Sequence, residues 1–547
     1  MGFALLLDHS WSRIGCVNEA RVIWELAHKE LAEVLFALQK PSPDLARIYR
    51  FIRQTENRPL SANILMRRSV NLSFFIHCES DGISSRLSVH IITVGVYHQL
   101  RFFIFYKQNK RYNLLYLSIF VSLKPTKMLT MLILYGIMHL EFEKRGDFMI
   151  IRDKYLEQIV PLINKNLIKV LTGVRRSGKT VLLSQIQDYL LSNGVDKSQI
   201  INISLESKKN KKLLDGDALY DYLLSTCEGI SGKSYIFLDE IQAVSKWEEV
   251  VSSLLVDVDC DIYITGSNSK LLSGELATLI AGRYIQIPVY PFTLSEAKKM
   301  LVKNGKYISD ESLFQNYLRY GGLPMRFSLE DISLDPYLSD TYDAIVIKDI
   351  VYRNNIKDTN LLNMILAFLM DNIANPFSAR SIVSALKAEG INTTVETVIS
   401  YIDYIKKAMI IYSAQRYDIK GKKLLTTNEK YYAVDLGLRN CVKASGEIDY
   451  NKLYENIVYL ELLYRGYDVK VGKTDDYEID FVAYKGNDII YVQVCYLLGS
   501  KETTDREFGN LERIKDNYPK YVISGDLPDF SRNGIKHFNI IKFLLQQ

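Results

Sequence analysis

Eight consecutive residues constrain this chain more than any other feature. Gly173-Val174-Arg175-Arg176-Ser177-Gly178-Lys179-Thr180 has the form G-x-x-x-x-G-K-T. It stands between a short apolar run, Leu167–Leu171, and a stretch of helical spacing, Val181–Leu190. Strand, glycine-rich loop and helix in that order form the context in which such a loop cradles phosphate. Gly173 and Gly178 let the backbone curl so that the N–H groups between them point at phosphate oxygens. The helix N-terminus adds partial positive charge. Lys179 is expected to reach the β- and γ-phosphates, and the Thr180 hydroxyl a magnesium ion. ATP and Mg2+ are the ligands this pattern predicts.

Two further strands support the reading. Ser234–Leu238 is apolar and ends in Asp239 and Glu240. Asp239 is expected in the Mg2+ shell, and Glu240 as the group that polarises the attacking water. Asp261–Thr265 ends in Gly266-Ser267-Asn268-Ser269, where a polar side chain, Asn268 for preference, can sense the γ-phosphate. With Ile201–Leu205 as another strand, ligand groups gather at the C-terminal ends of parallel strands, as the crevice rule for open α/β sheets requires. The fold class predicted is α/β.

Leu171–Thr180, Leu238-Asp239-Glu240-Ile241-Gln242 followed by Trp247, and Ile264–Ser269 resemble the bacterial and archaeal AAA-type ATPases that carry a C-terminal domain of unknown function. Ala281-Gly282-Arg283 with Pro291, Phe292 and Glu296, then Tyr320-Gly321-Gly322-Leu323-Pro324, also look like that family, as does the stretch Met149–Tyr155. The resemblance covers about 149–547. It implies a P-loop ATPase domain with a helical lid over 149–330, Arg283 as a candidate charge-neutralising arginine at the transferring phosphate, and a homo-oligomer.

Residues 331–440 read as a winged helix. Leu361–Asn372, Ser378–Ala388 and Thr394–Lys407 have helical spacing, and Met409–Arg416 and Leu424–Val434 form a hairpin around the basic turn Lys420-Gly421-Lys422-Lys423. Residues 441–547 resemble the restriction-endonuclease-like fold. Glu455 on a helix and Asp480 on a strand stand at the positions of a divalent-metal site, but the usual Glu-x-Lys pair is Gln493-Val494-Cys495. An amide binds Mg2+ more weakly than a carboxylate, so the domain reads as degenerate and nuclease activity as doubtful.

Residues 1–148 differ in composition. They hold 19 basic and 12 acidic side chains, against 49 and 51 in the remainder, and six of the seven histidines. Helical spacing is confined to residues 18–55. The apolar runs Leu114–Leu123 and Met128–Leu140 are each shorter than the ~20 residues a membrane span needs. Lys144–Phe148 is compatible with purine-rich codons resembling a ribosome-binding site before Met149. The native protein is thus expected to begin at Met149, the alternative being a real basic extension. With no signal-peptide pattern, the expected location is cytoplasmic, and 149–547 is expected to lie off the membrane. An ATP-hydrolysing enzyme coupled to a region that binds double-stranded DNA or a protein is the leading expectation. A slow nucleotide-switched binding module and an ATP-regulated DNA nuclease are its rivals.

Overall fold

The computed structural model describes residues 149–267, 282–329, 333–442, 449–474 and 477–546, and, as backbone only, four strands in the first part. The chain divides into two compact units, 1–147 and 148–547.

The first unit contains an antiparallel meander in the order β1 (Ser69–Ser80), β2 (Ile83–Val96), β3 (Gln99–Gln108), β4 (Arg111–Phe120). Register pairs such as Phe74 with Val89 and Ile104 with Leu115 run its length. Spacing predicts no sheet for residues 1–148, and the meander adds one. Its signal lies in the alternation of Leu87-Ser88-Val89-His90-Ile91 and in Asp81-Gly82, a pair whose composition favours hairpins. The run Leu114–Leu123 falls largely within β4. The helices expected over 18–55, and the run 128–140, lie outside the described residues.

The second unit opens with α1 (Asp153–Ile159) and a five-stranded parallel sheet in the order β6-β7-β8-β5-β9. Its strands are β5 (Ile168–Thr172), β6 (Ile200–Ser204), β7 (Ser234–Asp239), β8 (Cys260–Gly266) and β9 (Tyr284–Pro288). Every residue of β5, β7 and β8 is buried, as for a parallel sheet covered on both faces. Alternate residues serve the two faces. Ile168, Val170, Ile236 and Leu238 pack with Leu219, Leu223, Val251 and Leu254 of α3 (Gly216–Glu228) and α4 (Trp247–Asp257). Leu171, Phe237 and Tyr263 pack with Leu182, Ile186 and Leu190 of α2 (Lys179–Ser192), and with Tyr155 and Ile159 of α1.

Helices α5 (Leu294–Lys303) and α6 (Asp310–Tyr320) follow. The pair Gly321-Gly322 then turns the chain against two walls. Gly321 has φ +69°, and a Cβ there would stand 2.1 Å from an Asp435 carboxylate oxygen. A Cβ on Gly322 would stand 2.2 Å from the Phe292 carbonyl oxygen, and the Gly322 N–H donates to Asp435 Oδ2 at 2.6 Å. Gly322→Ala is therefore expected to cost about 1–3 kcal/mol, the usual penalty for overpacking. A lower urea midpoint at unchanged slope would register it.

Helix α7 (Leu334–Ile345) runs on into a π-helical segment, Val346–Val351. Then come α8 (Thr359–Asp371), α9 (Ala379–Ala388) and α10 (Val395–Lys407), with the hairpin β10 (Ile411–Asp418) and β11 (Lys423–Ala433). The order matches the expectation, but the hairpin does not stand free as a wing. It forms the edge of a seven-stranded mixed sheet, β11-β10-β12-β13-β14-β15-β16, in which β10 pairs in parallel with β12 (Asp468–Lys473). The remaining strands are β13 (Glu478–Lys485), β14 (Asp488–Val494), β15 (Lys520–Ser524) and β16 (Lys536–Asn539). Ala414, Tyr432 and Ala433 of the hairpin are fully buried in a core shared with Val469, Phe481 and Val492. The division expected at residue 440 thus falls inside one sheet and one core. Among the described residues, no helix is long and apolar enough to cross a membrane.

Candidate functional site

The loop after β5 has the curled backbone that its sequence requires. Gly178 adopts φ +97° at the start of α2, and Arg176 φ +67°. A Cβ on Gly173 would stand 2.2 Å from the Val289 carbonyl oxygen. Arg152 braces the loop from outside. Its guanidinium, 2% exposed, donates from Nη1 to the Ser177 carbonyl at 3.2 Å and from Nη2 to the Tyr290 carbonyl at 3.0 Å. The same group grips the Glu296 carboxylate at 2.8 and 2.9 Å. That pairing joins Arg152, ahead of β5, to Glu296, past β9, in a single buried ion pair.

The catalytic candidates Lys179 and Glu240 and the metal candidates Thr180 and Asp239 come together. Thr180 Oγ1 donates to Asp239 Oδ2 at 2.9 Å, and Thr265 Oγ1 donates to Asp239 Oδ1 at 2.6 Å. Burial holds the Asp239 carboxyl above its usual range, against the pull of the two hydroxyls. Lys179 Nζ lies 3.0 and 3.2 Å from the Gly173 and Val174 carbonyl oxygens and 3.6 Å from Glu240 Oε1. Burial lowers the Lys179 pKa. Glu240 sits in left-handed backbone just past β7, its N–H donating to Thr265 Oγ1 at 2.9 Å. Its Oε2 accepts from Ser267 Oγ at 3.1 Å and from Gln242 Nε2. Burial would raise the Glu240 pKa, but Lys179 and these donors hold it below the ordinary value.

These residues fit a magnesium nucleotide. Ser177 Oγ is buried inside the curled loop with no partner, and no Cβ can enter at Gly173. A hydroxyl and a carboxylate adjoin one another beside one ammonium group, the donor set that holds Mg2+. Thr180 and Asp239 would hold the ion, and the ion would neutralise charge on phosphate oxygens.

Two expected residues fare differently. Asn268 lies outside the described residues; Ser267, just before it, contacts Glu240. Arg283 is exposed, and its carbonyl accepts from the Ile168 N–H at 2.8 Å. Ile168 starts β5 and the phosphate loop follows its end, roughly 16 Å further on. Arg283 therefore does not reach the nucleotide loop of its own chain. Arg175, from the loop itself, and Arg353, beyond the π-helical segment, instead meet at Asp349; neither Arg353 nor its partner Asp349 was foreseen.

The second metal pair also has unexpected company. Glu455 and Asp480 do converge, joined by Glu478, but the ammonium of Lys430 from β11 stands among them. It lies 2.9 Å from Glu455 Oε1, 2.8 Å from Glu478 Oε1 and 3.8 Å from Asp480 Oδ1. Among the described residues, no group of three or more His, Cys, Asp or Glu side chains is placed to hold a metal. Gln493 Oε1 accepts only a long 3.4 Å bond from the Asp480 N–H, and Cys495 is a buried thiol whose pKa burial raises. The donor set does not fit a divalent ion.

Residues 165–298 match a family model described as an AAA domain, and residues 311–448 one described as a domain of unknown function, DUF8612. An uncharacterized protein of Haemophilus influenzae is 39% identical over 399 residues, spanning 73% of this chain and 99% of its own. An uncharacterized protein of Methanocaldococcus jannaschii is 30% identical over 370 residues, spanning 64% of this chain and 79% of its own. A solved structure, the Aeropyrum pernix ORC1 protein in complex with DNA, covers 53% of this chain and 90% of its own at 13% identity. Its TM-score of 0.26 carries no argument. The fold and site define a P-loop nucleotide-binding protein. The chain belongs to the AAA ATPase family, in the group with an AAA domain followed by a domain of unknown function.

Proposed function

We propose that the protein binds ATP with Mg2+, hydrolyses it to ADP and phosphate, and couples the cycle to residues 331–547, where double-stranded DNA is bound. The observation that carries the first part is the Thr180–Asp239 hydroxyl–carboxylate pair beside Lys179, with Glu240 held ionised by Ser267 and Lys179. Lys179 offsets charge on the terminal phosphates, and Glu240, an acceptor with its carboxylate fixed on one side, orients the attacking water. Arg283, remote from its own loop, is assigned to a neighbouring copy in a homo-oligomer.

The surface charges favour one place for DNA. The lysines of α10 are matched with carboxylates, Lys406 with Glu429 and Lys407 with Asp403. The turn between β10 and β11 exposes Lys422 and Lys423. Residues 149–547 hold slightly more acidic than basic side chains, so contact must be local. Steady-state ATPase rate against protein concentration, with and without duplex DNA, tests the whole reading. A specific rate that rises with concentration and again with DNA is expected. Changing these two lysines to glutamate is expected to lower the salt slope of DNA binding by about 2. A slow rate indifferent to both variables would instead identify the nucleotide-switched module.

A further inference from the structure

The nucleotide site contains an anion of its own. Asp349 lies on the π-helical segment, 1% exposed, and three donors from three parts of the chain surround its carboxylate. Arg175 Nε, from the phosphate loop, donates to Oδ2 at 3.1 Å. Ser267 Oγ, just past β8, lies 3.3 Å from Oδ1, its single proton shared between Asp349 and Glu240. Arg353 Nη2 lies 3.2 Å from Oδ1 and also donates to Ser267 Oγ at 3.4 Å. The other Arg353 terminal nitrogen, Nη1, is buried with no partner. A guanidinium with one nitrogen bonded and another idle marks a donor set built for more acceptors than a single carboxylate supplies.

Position narrows what those acceptors are. Ser267 Oγ contacts both Asp349 and Glu240, and Glu240 faces Lys179. The three donors thus stand on the side of the site where the water-orienting carboxylate lies. Two guanidiniums and a hydroxyl form a set that phosphate oxygens match as well as a carboxylate does. Helix α7, which runs on into that segment, is tied to the loop as well, by Arg176 Nη1 to Thr341 Oγ1 at 2.6 Å. π-Helical turns are rare and concentrate at functional sites.

We propose that Arg175, Ser267 and Arg353 form the subsite for the terminal phosphate of a nucleoside triphosphate, and that Asp349 is the internal anion that holds this subsite when the phosphate is absent. On triphosphate binding the donors change partners. Asp349, now beside a like charge, is released, and residues 346–351 move with it. A diphosphate leaves the Asp349 contacts in place. The proposal rests on the ATP reading of the Lys179 loop.

Binding of ATP and ADP, each with Mg2+, to the full chain tests it. Asp349→Asn removes the competing charge and is expected to tighten ATP about 10-fold while leaving ADP within about twofold. Arg353→Ala is expected to weaken ATP by about 10-fold, again sparing ADP. Tightening of both nucleotides alike, or of neither, overturns the assignment. Hydrogen exchange on the unaltered chain gives a second reading independent of any variant. Amides of 346–351 are expected to exchange faster with ATP than with ADP or no nucleotide, and equal exchange in all three states overturns the latch. A wild-type chain that binds neither nucleotide overturns the ATP reading and this inference together.

Discussion

Glu240→Gln is expected to bind Mg2+-ATP as tightly as the wild type and to hydrolyse it at least about 100-fold more slowly, the usual contribution of a positioned base. The amide keeps the shape of the side chain and can still accept from Ser267. It loses the charge that sits 3.6 Å from Lys179. Binding survives because the loop N–H donors still face the phosphates and Lys179 keeps its ammonium and its two carbonyl partners without the Glu240 charge. Lys179→Ala is the complement. Its ammonium is the one the loop aims inward, bonded to the Gly173 and Val174 carbonyls. Without it, ATP affinity is expected to fall by a factor on the order of 100 or more, because a buried charged partner to phosphate is lost. Equilibrium binding of a fluorescent ATP analogue and single-turnover hydrolysis separate the two effects. Hydrolysis that continues in Glu240→Gln would remove the carboxylate from its assigned role.

The parts of this site that the sequence made legible are those whose chemistry is local. A strand, a curled loop and a helix N-terminus occupy consecutive residues, so Gly173–Thr180 declares itself. Asp239 does so because a carboxylate ending an apolar strand, commonplace alone, here follows the end of a phosphate loop by 59 residues. Asp349 and Arg353 were illegible for the opposite reason. Asp349 meets Arg175 across 174 residues, and the π-helical turn that carries it breaks the 3.6-residue periodicity by which helices are read. Arg283 rested on resemblance, which fixes a residue's type and not the end of β5 it occupies. The hairpin β10–β11 was foreseen as two strands, but alternation gives a strand's faces and not the neighbour its edge will choose. The meander of β1–β4 shows a period of two only in short stretches such as Leu87–Ile91, between runs such as Phe102–Tyr106 that are apolar at every position and carry no period.

Lys430→Met is expected to destabilise the second unit by about 3–5 kcal/mol, the typical cost of leaving a buried charge without its partner. The ammonium is 5% exposed and lies within 3 Å of two carboxylates, Glu455 and Glu478, with Asp480 just beyond. Tyr432 donates a further 2.7 Å bond to Glu455, and the Val494 N–H donates at 2.8 Å to Asp480. Even with Lys430 present, burial holds the Glu455 and Asp480 pKa values above normal. Removing the cation raises them further. A carboxyl whose pKa is higher folded than unfolded contributes stability at pH values below its unfolded pKa, about 4, and loses that contribution as pH rises through its folded pKa. The variant's deficit is therefore expected to be small near pH 4 and to grow toward pH 8, read as denaturant midpoints across that range. Lys430→Met combined with Glu455→Gln is expected to recover part of the loss, since the two sites share one contact. Manganese provides the opposing test. If the cluster is an ion-pair lock between β11, α11 (Tyr450–Tyr464) and β13, as the distances indicate, millimolar Mn2+ leaves the wild-type midpoint unchanged. A rise worth more than about 1 kcal/mol would mean that the ammonium yields its place to a metal, and would return the C-terminal region to the nucleases.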